Sequence, residues 1–290
     1  VELTDECVPC LLARVRFESG LVHPALALPA VLAAAQEIGR ACPGEVSAVV
    51  ATRAHRAAYE ALGVADPYVE AKRASNEVAL RLLPRARDLY ASSLPGPGRL
   101  RMAALLSIVG NVLDLGIKGG LSDARALEVE FGHLVAEGLG RDDTPAMAAL
   151  LGPGRRVAYL TDNCGEVVLD QLLLDELRSR GCRVSLVVKG EPILTDATRA
   201  DIDGLGLDAH VDEVLDTGPF AVGVDLATVP ARTREAILGA DLVVSKGMAN
   251  YESLSDAGVG PIAYLLRTKC DPVARSLGEA KDLNVAKLYS

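Results

Sequence analysis

The sequence predicts an α/β protein: an all-helical N-terminal region followed by a mostly parallel sheet with helices on both faces. Three observations carry this. Before about residue 150, apolar positions recur only at helical spacing. Beyond residue 155, short runs rich in Val, Ile and Leu alternate with helical patterns, as crossover units of a parallel sheet do. Between the two halves stands Leu151-Gly152-Pro153-Gly154, a turn-forming string, which divides the chain into a helical domain over 1–152 and an α/β domain over 153–290.

In the first half the spacing predicts helices over Cys10–Glu18, Ala25–Ala41, Thr52–Leu62, Pro67–Leu83, Leu100–Val112 and Ser122–Gly138. Gly20, Pro43-Gly44, Gly63 and Pro95-Gly96-Pro97-Gly98 break them. Asp66-Pro67 and Ser122-Asp123 suit helix starts, a capping side chain followed by a good first-turn residue. No alternating strand pattern precedes residue 150.

In the second half, strands are predicted at Val157–Thr161, Arg183–Val188, Val211–Leu215, Leu242–Ser245 and Ile262–Leu266. Their unbroken apolar character is that of strands covered on both faces. Helical patterns at Glu166–Arg180, Asp196–Asp203, Arg232–Leu238 and Asp271–Leu277 lie between and after them.

Of 290 residues half are hydrophobic, with no Trp and few aromatics, so the core is built of Ala, Val and Leu. A formal charge of −9 disfavours a general nucleic-acid binder, which needs a cationic face. It leaves room for a small anionic substrate met by a local cluster of Lys or Arg. No charge-free run of about 20 apolar residues predicts a membrane span. The acidic opening, Val1 to Cys10, has no apolar signal core, and six cysteines are spread along a long chain; both predict a cytoplasmic protein with reduced thiols.

Ligands of open parallel sheets bind beyond the carboxyl ends of the strands, so the residues that follow each strand are the candidates. Thr161-Asp162-Asn163-Cys164-Gly165-Glu166 follows the first. Lys189-Gly190-Glu191 and then Thr195-Asp196 follow the second, and Asp216-Thr217-Gly218 the third. Lys246-Gly247-Met248-Ala249-Asn250-Tyr251-Glu252 follows the fourth, and Arg267-Thr268-Lys269 the fifth. Oxygen donors beside lysines and glycines suit a divalent cation bridging to a phosphate. Hard cations take carboxylate and carbonyl oxygens, and phosphate takes lysine and the amides of a helix start, here at Gly165. Taken alone, Asp162 or Asn163 equally suits a helix cap, and a strand-end lysine equally suits a solvated surface.

Other candidates are less specific. Cys7-x-x-Cys10 is half a zinc site, which Cys42 with His23 or His55 would complete; plain core cysteines are the other reading. Cys164 follows the first strand without the arginine of a cysteine-phosphate loop and reads as a small packing residue. Asn111 and Asp114 are polar positions in an apolar helix, either a helix-end cap or a contribution of the helical domain to the site.

The strings Thr161–Glu166, Leu194-Thr195-Asp196-Ala197-Thr198 and Asp241-Leu242-Val243-Val244-Ser245-Lys246-Gly247-Met248-Ala249-Asn250-Tyr251-Glu252 together resemble the metal-dependent damage-control phosphatases, formerly domain-of-unknown-function family eighty-nine. Glu6-Cys7-Val8-Pro9-Cys10-Leu11-Leu12, Gly110-Asn111 to Asp114 and Lys269-Cys270 resemble its archaeal and bacterial branch, which has an N-terminal cysteine pair. The resemblance runs through nearly the whole chain. It implies a Rossmann-like sheet and hydrolysis of phosphate monoesters of small metabolites, either sugar phosphates or phosphorylated cofactor precursors and their damaged forms, with Mn, Co, Ni or Mg. It implies Asp162, Asn163 and Asp196 as metal ligands, and Lys246 as phosphate holder. Gly165, Gly247, Asn250, Glu252, Asn111, Asp114 and Lys269 are the further expected substrate contacts. Glu166 or Asp225 is expected to orient the attacking water. Cys7 and Cys10 are the candidates for a second metal. Cys164 stands where the family more often has Ala.

Three alternatives remain at this level. Asp162 as nucleophile would form an aspartyl-phosphate, but the second aspartate of that signature is replaced by Cys164. A non-catalytic protein or transferase binding a nucleotide-like ligand on a Rossmann-like sheet would want several glycines after the first strand, where this chain has one. A redox or zinc-linked regulatory protein would work through Cys7 and Cys10.

Overall fold

The computed structural model describes residues 1–111 and 124–290, with the backbone alone over 124–130. Helices α1 (Cys7–Val22), α2 (Ala27–Ile38), α3 (Ser47–Leu62), α4 (Val69–Ala91), α5 (Pro97–Gly110) and α6 (Ala124–Glu137) come first. The two-residue strand β1 (Arg141–Asp142) and α7 (Thr144–Leu150) follow. Then come β2 (Arg156–Leu160), α8 (Glu166–Ser179), β3 (Arg183–Val188), α9 (Arg199–Ile202), β4 (Glu213–Asp216), α10 (Ala231–Leu238), β5 (Leu242–Lys246) and α11 (Gly247–Leu254). Strand β6 (Ile262–Arg267), α12 (Asp271–Leu277) and β7 (Asn284–Tyr289) close the chain. Among the described residues no helix is long and apolar enough to cross a membrane.

Among the described residues seven strands form one sheet in the order β1-β7-β6-β5-β2-β3-β4. Every neighbouring pair is parallel except β6 with β7. The chain leaves β2 towards β3 and β4, then returns to build β5 and β6 on the other side. The order therefore reverses between β2 and β5. A crevice opens beyond the strand ends at such a point, because the two following connections diverge to opposite faces.

Alternate strand residues enter two cores, so both faces are covered. Val157 and Tyr159 of β2 pack with α4, α5 and α8, while Ala158 and Leu160 pack with α10, α11 and α12. Helices α4 and α5 thus share a core with the sheet. Gly110 explains how closely α5 and α8 meet: a Cβ there would lie 2.9 Å from the Cα of Glu166. Helices α1 to α3 form a third cluster, which also takes in Ile193, Phe220 and Val222 from the loops after β3 and β4.

The five expected strands are all present. Elements without a sequence reading are β1, α7, α11 and β7. Strand β1 lies in the half that showed no strand pattern; two residues paired to Val285 and Ala286 are too few to show alternation. The helix expected over Asp196–Asp203 shrinks to Arg199–Ile202, capped by Thr198 and Asp201. Its expected first turn is drawn out because Ala197 donates its amide to the Asp162 carbonyl (2.8 Å). The expected start at Ser122-Asp123 lies outside the described residues.

Candidate active site

Asp162 and Asn163 follow β2 at its crevice with β5, and Asp196, which follows β3, is bonded to them. The loop leaving β2 and the loop leaving β3 zip together: Cys164 donates its amide to the Thr195 carbonyl (2.8 Å), Ala197 donates to the Asp162 carbonyl, and Asn163 bridges Asp196 in antiparallel register. The Thr195 hydroxyl donates to Asn163 Oδ1 at 2.5 Å. Two carboxylates and one amide therefore stand on adjoining, mutually bonded segments, each at most 6 % exposed.

The Asp162 carboxylate lies on the first residue of α11. Gly247 has φ +76, and a Cβ on it would fall 1.9 Å from Asp162 Oδ2. Only glycine lets the carboxylate settle there. The same oxygen accepts from Asn163 Nδ2 and from Asn111 Nδ2, each at 2.7 Å. Asn111 Nδ2 also reaches Glu166 Oε2 at 2.7 Å, so the residue that ends α5 joins the loop acid to the first acid of α8.

Behind this layer is a buried ion cluster. Lys246 Nζ sits 2.5 Å from Glu166 Oε1 and 2.7 Å from Asp170 Oδ1, and donates to the Ser107 carbonyl at 3.3 Å. Burial raises the Glu166 carboxyl above its ordinary range, against the pull of Lys246 and with the push of Asp170. Burial also opposes charge on Lys246, but Asp170 and Glu166 outweigh it and raise the ammonium above its usual value. The expected phosphate-holding lysine is thus a buried counter-ion of two carboxylates.

Other candidates are placed as follows. Lys269, half-buried, donates Nζ to the Asn111 carbonyl at 2.5 Å, which brings a cation next to the residue that holds Asp162. Asn250 is buried; its Nδ2 donates to the Thr161 and Lys246 carbonyls, and its Oδ1 has no partner among the described residues. Gly165 (φ +81) opens α8, but its amide donates to Asn76 Oδ1 at 2.6 Å. Glu252 faces α3, accepting from the Ser47 hydroxyl at 3.0 Å. Asp225 is exposed and caps its own turn by accepting from the Ala227 amide. Asp114 lies outside the described residues.

The N-terminal pair falls on the first turns of α1, with Cys7 half-buried and Cys10 exposed. Cys42 is exposed, and His55 is spent on the buried Glu18 at 3.0 Å. None of the six cysteines forms a disulfide in this structure. Cys164 is fully packed and burial holds its thiol well above the ordinary value, which fits the packing reading. Among the described residues no three His, Cys, Asp or Glu side chains stand in a metal-holding arrangement. The candidate cation site instead combines the carboxylates of Asp162 and Asp196 with the amide oxygen of Asn163. Such hard oxygen donors suit Mg or Mn, and Asn163 Oδ1 keeps a second lone pair after accepting from Thr195.

Further residues stand around the site, of which Lys72, Asn76 and Asp170 are not among the sequence candidates. Lys189 was noted at a strand end; it lies 3.4 Å from Asp196 Oδ2 and donates to the Ala221 and Gly223 carbonyls. Lys72 of α4 is buried between Asp66 (3.0 Å) and Asp201 (3.1 Å). Asn76, one turn on, holds the Gly165 amide. Asp170 lies one helical turn beyond Glu166. Spacings of four residues, Lys72 with Asn76 and Glu166 with Asp170, are the signal that marks them: polar pairs on a helix face that is otherwise apolar.

Known proteins share this architecture. The sequence profile of the damage-control phosphatase ARMT1-like domain matches residues 3–285. A damage-control phosphatase of Archaeoglobus fulgidus is 39% identical over 297 residues, covering 99% of each chain. A damage-control phosphatase of Pyrococcus horikoshii is 33% identical over 220 residues, covering 76% of this chain and 73% of its own. The crystal structure of a Pyrococcus horikoshii protein of domain-of-unknown-function family eighty-nine superimposes with a TM-score of 0.87 at 27% identity, covering all of both chains. With a profile that spans almost its whole length and relatives this similar, the chain belongs to the damage-control phosphatase family of ARMT1-like domains.

Proposed function

We propose that this protein hydrolyses phosphate monoesters of small metabolites, such as sugar phosphates or phosphorylated cofactor precursors and their damaged forms, using a divalent cation held by Asp162, Asn163 and Asp196. The observation that carries the reading is the zipped pair of loops at the strand-order reversal, with the Asp162 carboxylate seated on Gly247. Names of the relatives supply the reaction class. When bound, a Mn, Co, Ni or Mg ion supplies the positive charge that polarises a phosphoryl group.

The chain's own residues do the rest. Lys269 brings a second cation to the rim, where it meets phosphate oxygens as a point charge. Asn250 ties the Thr161 and Lys246 carbonyls together beneath the site. Glu166 and Asn111 hold Asp162 and Asn163 in place, and Lys246 keeps the buried Glu166–Asp170 pair from repelling itself apart. The turn after β2 disfavours a pyrophosphate cradle, because its one glycine amide is committed to Asn76.

The test is phosphate release from a panel of sugar phosphates with Mn, Co, Ni and Mg. Asp162→Ala and Asp196→Ala are each expected to lose metal-stimulated release by about 100-fold or more, as misplaced catalytic geometry does. Undiminished metal-stimulated hydrolysis by Asp162→Ala would overturn the assignment.

A further inference from the structure

Among the described residues, Leu194 and Asp282 are the two non-glycine positions with positive φ. Leu194, at φ +50, is the one next to the candidate site, immediately before Thr195 and Asp196. A leucine leaves this region unless something holds it there. Its amide donates to the hydroxyl of Tyr59 at 3.1 Å. Burial pushes the Tyr59 phenol far above its ordinary value, so it stays a neutral partner. The ring itself is fixed edge-on between Phe220 (centroids 5.5 Å apart) and His55 (6.3 Å), and His55 is anchored by Glu18. On the other side, Ile193 is buried in the α1–α3 core. The loop that carries Asp196 is therefore gripped from two directions. Asn163 and Cys164 hold Thr195 from the sheet, and Tyr59 holds Leu194 from the helices.

We propose that Tyr59 is a positioning residue: by accepting the Leu194 amide it holds that residue in the left-handed conformation and so sets Asp196 opposite Asn163. This rests on the reading of Asp162, Asn163 and Asp196 as cation ligands. Tyr59 touches neither substrate nor cation; it acts through the loop. The helical layer thereby contributes to cation affinity from outside the crevice.

The test is Tyr59→Phe, which keeps the ring and its aromatic neighbours. Amide hydrogen exchange of the cation-free protein is measured over residues 194–197, and Mn2+ is titrated calorimetrically. Loss of one buried hydrogen bond predicts Mn2+ binding weakened about five- to tenfold and faster exchange at Leu194, with kcat at saturating Mn2+ within about twofold of the parent. Parental exchange at Leu194 together with parental Mn2+ affinity would overturn the proposal, as would a lowered kcat with unchanged Mn2+ affinity. Asp196→Asn is titrated alongside. If it binds Mn2+ like the parent, the ligand reading falls, and the exchange data still decide whether Tyr59 fixes the loop.

Discussion

Gly247→Ala puts the site geometry to a quantitative test. A Cβ at this position would stand 1.9 Å from Asp162 Oδ2, whereas ordinary contact begins at 3.4 Å, so the carboxylate has to withdraw by about 1.5 Å. Metal–oxygen bonds tolerate about 0.2 Å. The substitution also places a side chain at φ +76, a left-handed strain of about 1–2 kcal/mol. Gly154→Ala separates these two effects: its φ is +77 and its Cβ would meet nothing within 4 Å. For a chain of this length, 1–2 kcal/mol lowers the thermal midpoint by about 2–4 °C. Both variants are expected to show that loss by scanning calorimetry. Gly247→Ala alone is expected to lose phosphate release with Mn2+, by about 100-fold. If Gly247→Ala folded and kept release within about twofold of Gly154→Ala, Asp162 would not be a ligand in the place described.

Three further outcomes are expected. Lys246→Met leaves Glu166 and Asp170 buried without their cation and should cost about 3–5 kcal/mol, read as a fall in thermal midpoint of about 5–8 °C. Asn76→Ala strands the Gly165 amide and should cost about 1–3 kcal/mol by urea unfolding, and retention of full stability would show that the amide finds another partner. The Asp241 carboxyl is held below its ordinary 3.8 by the Arg156 amide and by Arg155, so its contribution to stability is complete above that pH and disappears as pH falls through the lowered value. Asp241→Asn should therefore match its parent at the acid end of a pH series and be the less stable of the two above pH 4, as followed by circular dichroism.

How far the sequence reached depended on the kind of signal. Five central strands were legible because burial on both faces writes continuous apolar runs. Strand β7 was not: Asn284 and Lys287 interrupt it, since Asn284 is used to hold the Leu134 and Gly138 carbonyls and Lys287 reaches Glu279. Helix α11 was hidden for a different reason. Gly247 opens it in a left-handed conformation that suggests a turn. Among the candidate residues, the placement of Asp162, Asn163 and Asp196 beyond strand ends was legible from the order of apolar runs. That they touch was not, because the contact depends on β3 lying beside β2 and on the backbone bonds that zip the two following loops together, which no local pattern encodes. Lys246 was legible as a charged residue after a strand. Its burial was not, because the partner Asp170 lies on another element and the carbonyl it meets comes from α5.

Helix α5 has a consequence for how this chain tolerates change. It meets α8 backbone to backbone at Gly110 and ends one residue later in Asn111, whose amide spans Asp162 and Glu166. A helix turns by about 100° and advances 1.5 Å with each residue. One residue inserted or deleted within α5 would therefore swing that amide away from both acids and force a side chain against Glu166. The helix works as a gauge whose length sets where its last side chain arrives. Its apolar residues can be exchanged for others of similar volume, but its residue count between the core and the crevice is fixed.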